Sequence, residues 1–172
     1  TTYVTDYAYR AKVYPVIAKH LKRVYPCSTG LVVSGLARPE LDFEIDVFTV
    51  IPQNDTPHLR LRTFNKNIPA TGDPSFPSLD YGLSRVVRAG NMVFLQGQTG
   101  RSLEGGFVGR GNPAAQADKA LGNVKILLED AGVRMEDICK IITYVKEHSH
   151  RNLVYPVLAK HLRGIGPVST GL

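Results

Sequence analysis

One stretch of sequence occurs twice in this chain of 172 residues. Residues 3–31 and 144–172 align without gaps at an offset of 141 residues, and 16 of the 29 aligned positions are identical. This offset is far longer than a solenoid repeat and has the length of a small domain. We therefore interpret the chain as a duplicated domain, and we call residues 3–31 the first repeat and residues 144–172 the second repeat.

The order of segments indicates how each copy is interrupted. Sequence continues through residues 32–52 after the first repeat, whereas the chain ends after the second. We assign residues 1–52 to the C-terminal half of one copy, polar residues 53–62 to a linker, and residues 63–172 to a copy that lacks its last two strands. We also expect a strand at 43–51 to complete the sheet that contains residues 85–98, within one chain or by exchange between chains.

The spacing of apolar residues predicts the helices and strands of one copy of the duplicated domain. Two apolar runs around Gly90 and Asn91 predict a hairpin over 85–98. A spacing of 3.6 residues predicts a helix that begins at Pro113, with Asn112 as N-cap and Gly132 as C-cap. Further strands are predicted at 31–36, 47–51, 107–108 and 138–145, and further helices at 10–23 and 153–162. This order predicts an α+β two-layer fold, with an antiparallel-rich sheet and two helices on one face.

Composition excludes several classes of protein. No apolar run approaches the roughly 20 residues of a membrane span. The two cysteines, Cys27 and Cys139, form no CxxC pair, so we expect a cytoplasmic protein without a metal or cofactor. The net charge of +6 comes from scattered basic residues, which argues against nucleic acid as the partner.

Several motifs carry a resemblance to the Rid family, also called YjgF or L-PSP. Residues 88–98 (RAGNMVFLQGQ) resemble its Gly-Asn hairpin, and residues 116–124 resemble its helix with Gln, Leu and Asn-Val. Residues 131–140 and 44–50 resemble its Ala-Gly segment and its closing acidic strand. The resemblance covers nearly the whole chain. It implies a chorismate-mutase-like fold, a homotrimer and ligand clefts between adjacent subunits, in which family enzymes hydrolyse reactive imines and enamines.

The resemblance also shows where this chain departs from the family. The arginine that grips the substrate carboxylate falls on Ser28 in the first repeat and on Ser169 in the second. A serine hydroxyl offers one donor and no charge, unlike the bidentate fork of arginine. The carboxylate clamp is therefore missing, and deamination of 2-aminoacrylate should be weak or absent.

The remaining site residues also follow from the resemblance. We expect Asp46, at the position of the family's acid, and Ser28 to be catalytic. The family's cleft tyrosine falls on Leu83. The expected substrate-binding residues are Thr29, Gly30, Leu83, Gln96, Gly97 and Ser169.

We interpret the other charged, thiol and histidine side chains as structural or surface residues. Arg38, Arg85 and Arg88 read as surface charges, although one of them could replace the lost arginine. Cys27 reads as an inert thiol, because the second repeat has valine there. The pair His148 and His150 reads as a surface loop, and the recurring His20 and His161 read as helix-face residues.

Three functions stay open at this stage. The first is a hydrolase or deaminase-type enzyme that acts on a small imine, enamine or amide-like metabolite in a cleft between subunits. The second is a non-catalytic member that binds a metabolite or serves assembly. The third is an endoribonuclease. In each case we expect a homo-oligomer, a trimer or pseudo-trimer with strand or domain exchange.

Overall fold

A computed structural model describes residues 1–52, 56–62 and 82–172. The chain divides into two compact units, Thr1–Gly97 and Gln98–Leu172. This division concerns packing, whereas the boundaries predicted above concern the duplication of the sequence. Residues 63–81, the first 19 residues of the segment predicted to be the second copy, lie outside the described residues.

The first unit contains a sheet built mostly from the first repeat. Its strands are β1 (Thr2–Val4), β2 (Gly30–Val32) and β3 (Phe43–Ile45), in the order β2-β1-β3. Strand β1 is parallel to β2 and antiparallel to β3. Helix α1 (Arg10–His20) connects β1 to β2. Thr2 and Val4 are buried on one face of β1, and Tyr3 lies on the opposite face because side chains alternate along a strand.

A second sheet in the same unit is built around the predicted hairpin. Strands β4 (Leu59–Leu61), β5 (Val86–Ala89) and β6 (Met92–Leu95) form an antiparallel sheet in that order, which we call the hairpin sheet. Gly90 and Asn91 form the turn, and Gly90 has a φ of 60°. That left-handed conformation suits glycine because it has no Cβ. The hairpin prediction is therefore confirmed.

The second unit consists of two helices and a pair of parallel strands. These are α2 (Pro113–Asp130), β7 (Lys140–Thr143), α3 (Arg151–His161) and β8 (Val168–Gly171). The Asn112 side chain accepts a hydrogen bond from the Ala115 N–H, and Gly132 follows the helix with a φ of 71°. Both predicted caps of α2 are thus present. Its apolar face supplies the buried residues Leu121, Leu127 and Leu128.

The two repeats adopt the same local structure. Thr2 pairs with Gly30 in the first repeat, and Thr143 pairs with Gly171 in the second, at the same offset of 141 residues. In each repeat a helix tyrosine lies over the strand glycine, so that a Cβ on Gly30 would overlap the Tyr14 hydroxyl and a Cβ on Gly171 would overlap the Tyr155 hydroxyl. The sequence identity between the repeats therefore extends to register and packing.

Three sequence predictions need correction. The strand predicted at 47–51 does not form, since β3 ends at Ile45 and Val47, Phe48 and Ile51 are 70%, 81% and 86% exposed. The strand predicted at 31–36 is the shorter β2, and the one predicted at 107–108 is a single bridge between Arg101 and Phe107. These segments have high β-propensity but no partner strand along most of their length. Such a segment forms a strand only where another strand pairs with it.

The predicted completion of the hairpin sheet is also wrong within the chain. Strand β3 pairs with β1, not with the sheet that contains residues 85–98. In addition, residues 59–61, which lie in the predicted linker, form β4 and pair with β5. The α+β class with antiparallel strands and helices is confirmed. Among the described residues, no helix has the length and apolar content needed to cross a membrane.

Candidate functional site

Residues 24–29, which we call the docking segment, pack against the hairpin sheet within the first unit. The Gly97 N–H donates to Thr29 Oγ1 over 3.0 Å, and the Cys27 thiol donates to the Phe94 carbonyl over 3.2 Å. Three further hydrogen bonds reach main-chain carbonyls of the segment: Ser84 N–H to Pro26, Ser84 Oγ to Tyr25 and Arg60 Nε to Val24. The predicted ligand-binding residues Thr29 and Gly97 are thus in direct contact, although they are 68 residues apart.

Asp46 lies on the other side of β1 from this contact. Thr1 and Asp46 exchange two main-chain hydrogen bonds of 3.0 and 2.9 Å, and the Thr2 N–H donates to the Thr29 carbonyl over 2.8 Å. Continuing the register by one residue therefore places Thr1 between Asp46 and Thr29. Since adjacent strands are about 4.8 Å apart, the two candidate residues are separated by about 10 Å on the sheet.

The Asp46 carboxylate has a fixed hydrogen-bond donor. The Tyr3 hydroxyl donates to Asp46 Oδ2 over 3.0 Å, and both side chains lie on the face of the sheet opposite Thr2 and Val4. Tyr3 is half-buried and Asp46 is exposed. Sequence reasoning missed Tyr3, although its recurrence as Tyr144 in the second repeat was a signal that could have found it.

Ser28 is not grouped with the other candidate residues. Its Oγ lies 3.5 Å from Oγ1 of the buried Thr2, on the side of the sheet that faces α1. The neighbouring Gly30 lies under Tyr14 and Arg10 of α1, which confirms the direction of this face. Ser28 and Gly30 therefore line the helix side, whereas Thr29, Tyr3 and Asp46 line the opposite side.

The hairpin residues Gln96 and Leu83 are engaged by arginines. Gln96 Oε1 accepts a hydrogen bond of 2.8 Å from Arg85 Nη1, and the Leu83 carbonyl accepts one of 3.2 Å from Arg62 Nε. Arg85 is only 8% exposed, so it is an interior residue and not the surface charge that we expected. Arg88 is exposed and its Nε lies 3.5 Å from the Gly90 carbonyl, and Arg38 is exposed.

Ser169 lies in the second unit, at an open groove of about 510 Å³. The groove is formed by α3 and the β7–β8 pair, and its lining includes Ile141, Tyr155, Leu158, Leu162 and Gly171. Ser169 is exposed there, whereas its counterpart Ser28 is half-buried. The two serines at the position of the missing arginine thus have different surroundings.

The surroundings of Cys27 and of the histidines indicate structural roles and not catalytic ones. Burial raises the pKa of Cys27 from 9.0 to about 12, so its thiolate does not form near neutral pH. His148 and His150 lie in a short 3₁₀ turn, and no group of three potential metal ligands occurs within residues 1–52, 56–62 and 82–172. His161 Nε2 lies 2.8 Å from Asp118 Oδ1, which links α3 to α2.

The chain is an α+β protein whose candidate site lies on a strand face next to the Gly-Asn hairpin. Residues 77–170, more than half of the chain, match the family model described as Endoribonuclease L-PSP. The chain belongs to this family. The resemblance noted from the motifs is thereby confirmed.

Comparison with individual proteins gives the same result. A RutC family protein of Pyrococcus abyssi is 31% identical over 64 residues, which cover 37% of this chain and 50% of the relative. A 2-iminobutanoate/2-iminopropanoate deaminase of Dermatophagoides farinae is 30% identical over 63 residues, which cover 37% of this chain and 49% of the relative. The chain thus spans about half the length of the curated relatives it matches.

Solved structures support the fold. Yeast Mmf1 superposes with a TM-score of 0.55 at 20% identity, over 67% of this chain and 84% of that one. A Mycobacterium tuberculosis member of the YjgF/YER057c/UK114 family gives 0.51 at 25% identity, over 67% and 83%. Both are similar to this chain in fold.

Proposed function

We propose that this protein is a hydrolase of the deaminase type that acts on a small imine, enamine or amide-like metabolite. The observation that carries the proposal is the pair of anchored polar groups on one sheet face. Tyr3 holds the Asp46 carboxylate, and the Gly97 N–H holds the Thr29 hydroxyl. The match to an iminobutanoate deaminase supports the same class of reaction.

The chemistry assigns one role to each group. Hydrolysis of an imine adds water across the C=N bond, and the resulting carbinolamine collapses to a carbonyl and ammonia. Asp46 would accept a proton from the attacking water, a role that requires an ionised carboxylate within reach. Thr29 Oγ1 accepts a hydrogen bond from Gly97, so its own O–H can donate a hydrogen bond to the substrate nitrogen. The proton that Asp46 takes from the water would be returned to that nitrogen when the carbinolamine collapses and ammonia leaves.

The same surroundings favour a substrate that can bind without an arginine to hold its carboxylate. Neither Ser28 nor Thr29 carries a charge, and Arg85 is already bound to Gln96. Losing a charge-assisted bidentate contact reduces binding of small carboxylates. We therefore propose a neutral or weakly charged small molecule as the substrate. We also propose that the protein is a cytoplasmic homo-oligomer.

A second function is favoured by one specific contact. The Gly97 N–H, which belongs to the family's ligand-binding hairpin, is used by Thr29 within the protein. A hairpin whose donor is satisfied internally suits a member that binds a metabolite without turnover or that serves assembly. Ammonia release distinguishes this alternative from the enzyme. The ribonuclease alternative is supported by the family description alone.

The test is ammonia release from a panel of imines and enamines with and without a carboxylate. We expect turnover of neutral members and little turnover of 2-aminoacrylate. Asp46→Asn should lower the rate by about 10²- to 10⁴-fold, the usual contribution of a general base. Asp42→Asn is the matched control, because Asp42 is also exposed and accepts a hydroxyl hydrogen bond, from Thr5 over 3.1 Å.

Two outcomes would reject the enzyme. One is absence of ammonia release from every member of the panel, with measurable binding by calorimetry supporting the non-catalytic alternative. The other is an Asp46→Asn variant as active as the Asp42→Asn control, which would make the acid structural. Circular dichroism and oligomer mass show whether either variant has lost its fold.

A further inference from the structure

Basic residues are spread along the chain, but their excess over acidic residues is confined to one span. Residues 7–39 contain six Lys and Arg and no Asp or Glu, whereas the rest of the chain contains 15 of each kind. The whole net charge of +6 therefore lies in this span. Five of the six basic residues lie within 10–23, in helix α1 and the turn that follows it.

Four of these five cations lie on the exposed side of the helix and its turn. Lys12 and Lys19 are exposed and seven residues apart, which is two helical turns, so they lie on one face of α1. Val16 lies between them on the same face and is 56% exposed. Lys22 and Arg23 follow in the turn and are also exposed. We call these five residues the basic face.

The second repeat neutralises positions that the first repeat leaves charged. Lys160 and His161 lie 4.0 and 2.8 Å from Oδ1 of Asp118, a residue of α2. Their counterparts in the first repeat are the identical residues Lys19 and His20, both exposed. Over the part of the chain that the structure describes, no ion pair joins a carboxylate to the basic face. This face therefore keeps its full positive charge.

Arg23 keeps its cation at a backbone position that favours glycine. Its φ is 70°, and its counterpart in the second repeat is Gly164, with a φ of 80°. A left-handed conformation is unfavourable for a residue with a Cβ, and such strain is concentrated at functional positions. The Arg23 side chain is exposed, so its packing does not explain why the chain has arginine there. Lys12 is a similar case, because its counterpart is the uncharged Leu153.

We propose that the basic face binds the anionic surface of a lipid membrane. Anionic headgroups complement its four cations, and each Lys or Arg close to such a surface strengthens the attraction. The valine favours lipid over other polyanions. On a nucleic-acid backbone or an acidic peptide Val16 would meet charged groups, whereas at a lipid surface it lies at the boundary between headgroups and acyl chains.

This surface is separate from the candidate site. Gly30 lies under Tyr14 and Arg10 of α1, whereas Tyr3 and Asp46 lie on the opposite side of the same sheet. Binding through α1 therefore does not use the face that carries the proposed chemistry. A contact of this kind also requires no membrane-spanning helix, since it places a helix along the lipid surface.

Sedimentation with lipid vesicles tests the proposal on the full-length protein in its native oligomeric state. The protein should bind vesicles of equal parts phosphatidylcholine and phosphatidylserine, and it should not bind vesicles of phosphatidylcholine alone. Salt should release it, because the screening length falls from about 8 Å at 0.15 M to about 3 Å at 1 M.

Paired charge variants separate the basic face from the net charge. Lys12→Gln with Lys19→Gln should lower vesicle affinity about 25-fold, at about fivefold for each cation. The matched control is Lys125→Gln with Lys160→Gln, which removes the same charge from two exposed lysines that lie close to carboxylates. The control should bind vesicles nearly as well as the unchanged protein.

Two single variants give readouts that a structural role would not produce. Arg23→Gly should lower vesicle affinity about fivefold, although glycine relieves the backbone strain and stabilises the fold. Val16→Ser should lower vesicle affinity about threefold, since it removes exposed apolar surface. It should leave binding to a single-stranded oligonucleotide or to polyglutamate unchanged. Circular dichroism checks that each variant is folded.

Three results would overturn the proposal. The first is equal binding to the two kinds of vesicle. The second is an equal loss in the double variant and its control, which would assign the effect to net charge alone. The third is tighter binding to the oligonucleotide or to polyglutamate than to the anionic vesicles, which would make the partner a nucleic acid or an acidic protein.

Discussion

Thr29 occupies the space that a side chain on Gly97 would need. A Cβ on Gly97 would lie 2.8 Å from both Oγ1 and Cγ2 of Thr29, and the Gly97 N–H donates to the same hydroxyl over 3.0 Å. Glycine is therefore required at position 97 by the threonine in the other segment. The contact joins the docking segment to the hairpin in the first unit.

The first prediction tests this contact. Gly97→Ala should lower the free energy of unfolding by about 1–3 kcal/mol, because the added methyl group overlaps a branched side chain. Thr29→Ser in the same chain should recover part of the loss, since it removes Cγ2 and keeps the acceptor. Gly122→Ala is the control, as no atom lies within 4 Å of its Cβ position, and it should stabilise α2. Urea denaturation measures all three; equal losses at 97 and 122 would contradict the packing.

A second prediction concerns the left-handed residue after α1. Arg23 has a φ of 70°, and the second repeat has Gly164 at the equivalent position with a φ of 80°. Arg23→Gly should raise the free energy of unfolding by about 1 kcal/mol because it removes the clash of Cβ with the main chain. Lys22→Gly, one residue earlier and without a positive φ, should lower it. Thermal unfolding at fixed pH measures both, and a change of the same sign in the two variants would refute this account.

The two thiols should differ in reactivity. Burial raises the pKa of Cys27 to about 12, whereas Cys139 is exposed. At pH 8 an aromatic disulfide reagent should label one thiol per chain rapidly and the second only after unfolding in urea. The raised pKa also makes stability fall as pH rises from about 9 towards 12, since the unfolded thiol ionises first. Rapid labelling of two thiols in the native chain would show that Cys27 is accessible.

Acid should weaken the contact between α2 and α3. The hydrogen bond from His161 lowers the pKa of Asp118 below its usual 3.8. A lowered carboxyl pKa contributes stability above the unfolded pKa, and this contribution is lost as pH falls through the folded value. Asp118→Asn should therefore flatten the decline in melting temperature below about pH 4. The control is Glu129→Gln, whose partner Lys125 lies within α2 at 3.9 Å. If the control flattens the decline as much, the His161 contact is not its cause.

Local signals were sufficient for the helices and the hairpin. Asn112 and Gly132 bound α2 as their capping chemistry predicts, and Gly90 with Asn91 supplies the turn. Strand length was not predictable in the same way. Residues 47–51 have strong β-propensity, but β1 offers a partner for only three residues of this segment's strand, 43–45. Propensity describes the segment, whereas pairing depends on a strand elsewhere in the chain.

The sequence motifs propose a set of site residues, but they do not predict how those residues are arranged. Motifs placed Asp46, Thr29, Gly97 and Gln96 near the ligand-binding region, yet the contact between Thr29 and Gly97 spans 68 residues. Period-two alternation separates Ser28 from Thr29, because adjacent strand residues face opposite sides. An alignment gives the position of the missing arginine, but only the pairing of β1 with β2 shows which side that position faces.

The identical register of the two repeats has a consequence for folding fidelity. β1 meets β2 with Thr2 beside Gly30, and β8 offers the same Ser-Thr-Gly sequence about six times farther along the chain. Closing the longer loop costs about 1.6 kcal/mol more by the logarithmic dependence of loop entropy on length. Correct pairing during synthesis or refolding thus depends on chain distance and on the order in which the strands emerge, since the chemistry of the two target strands is nearly the same.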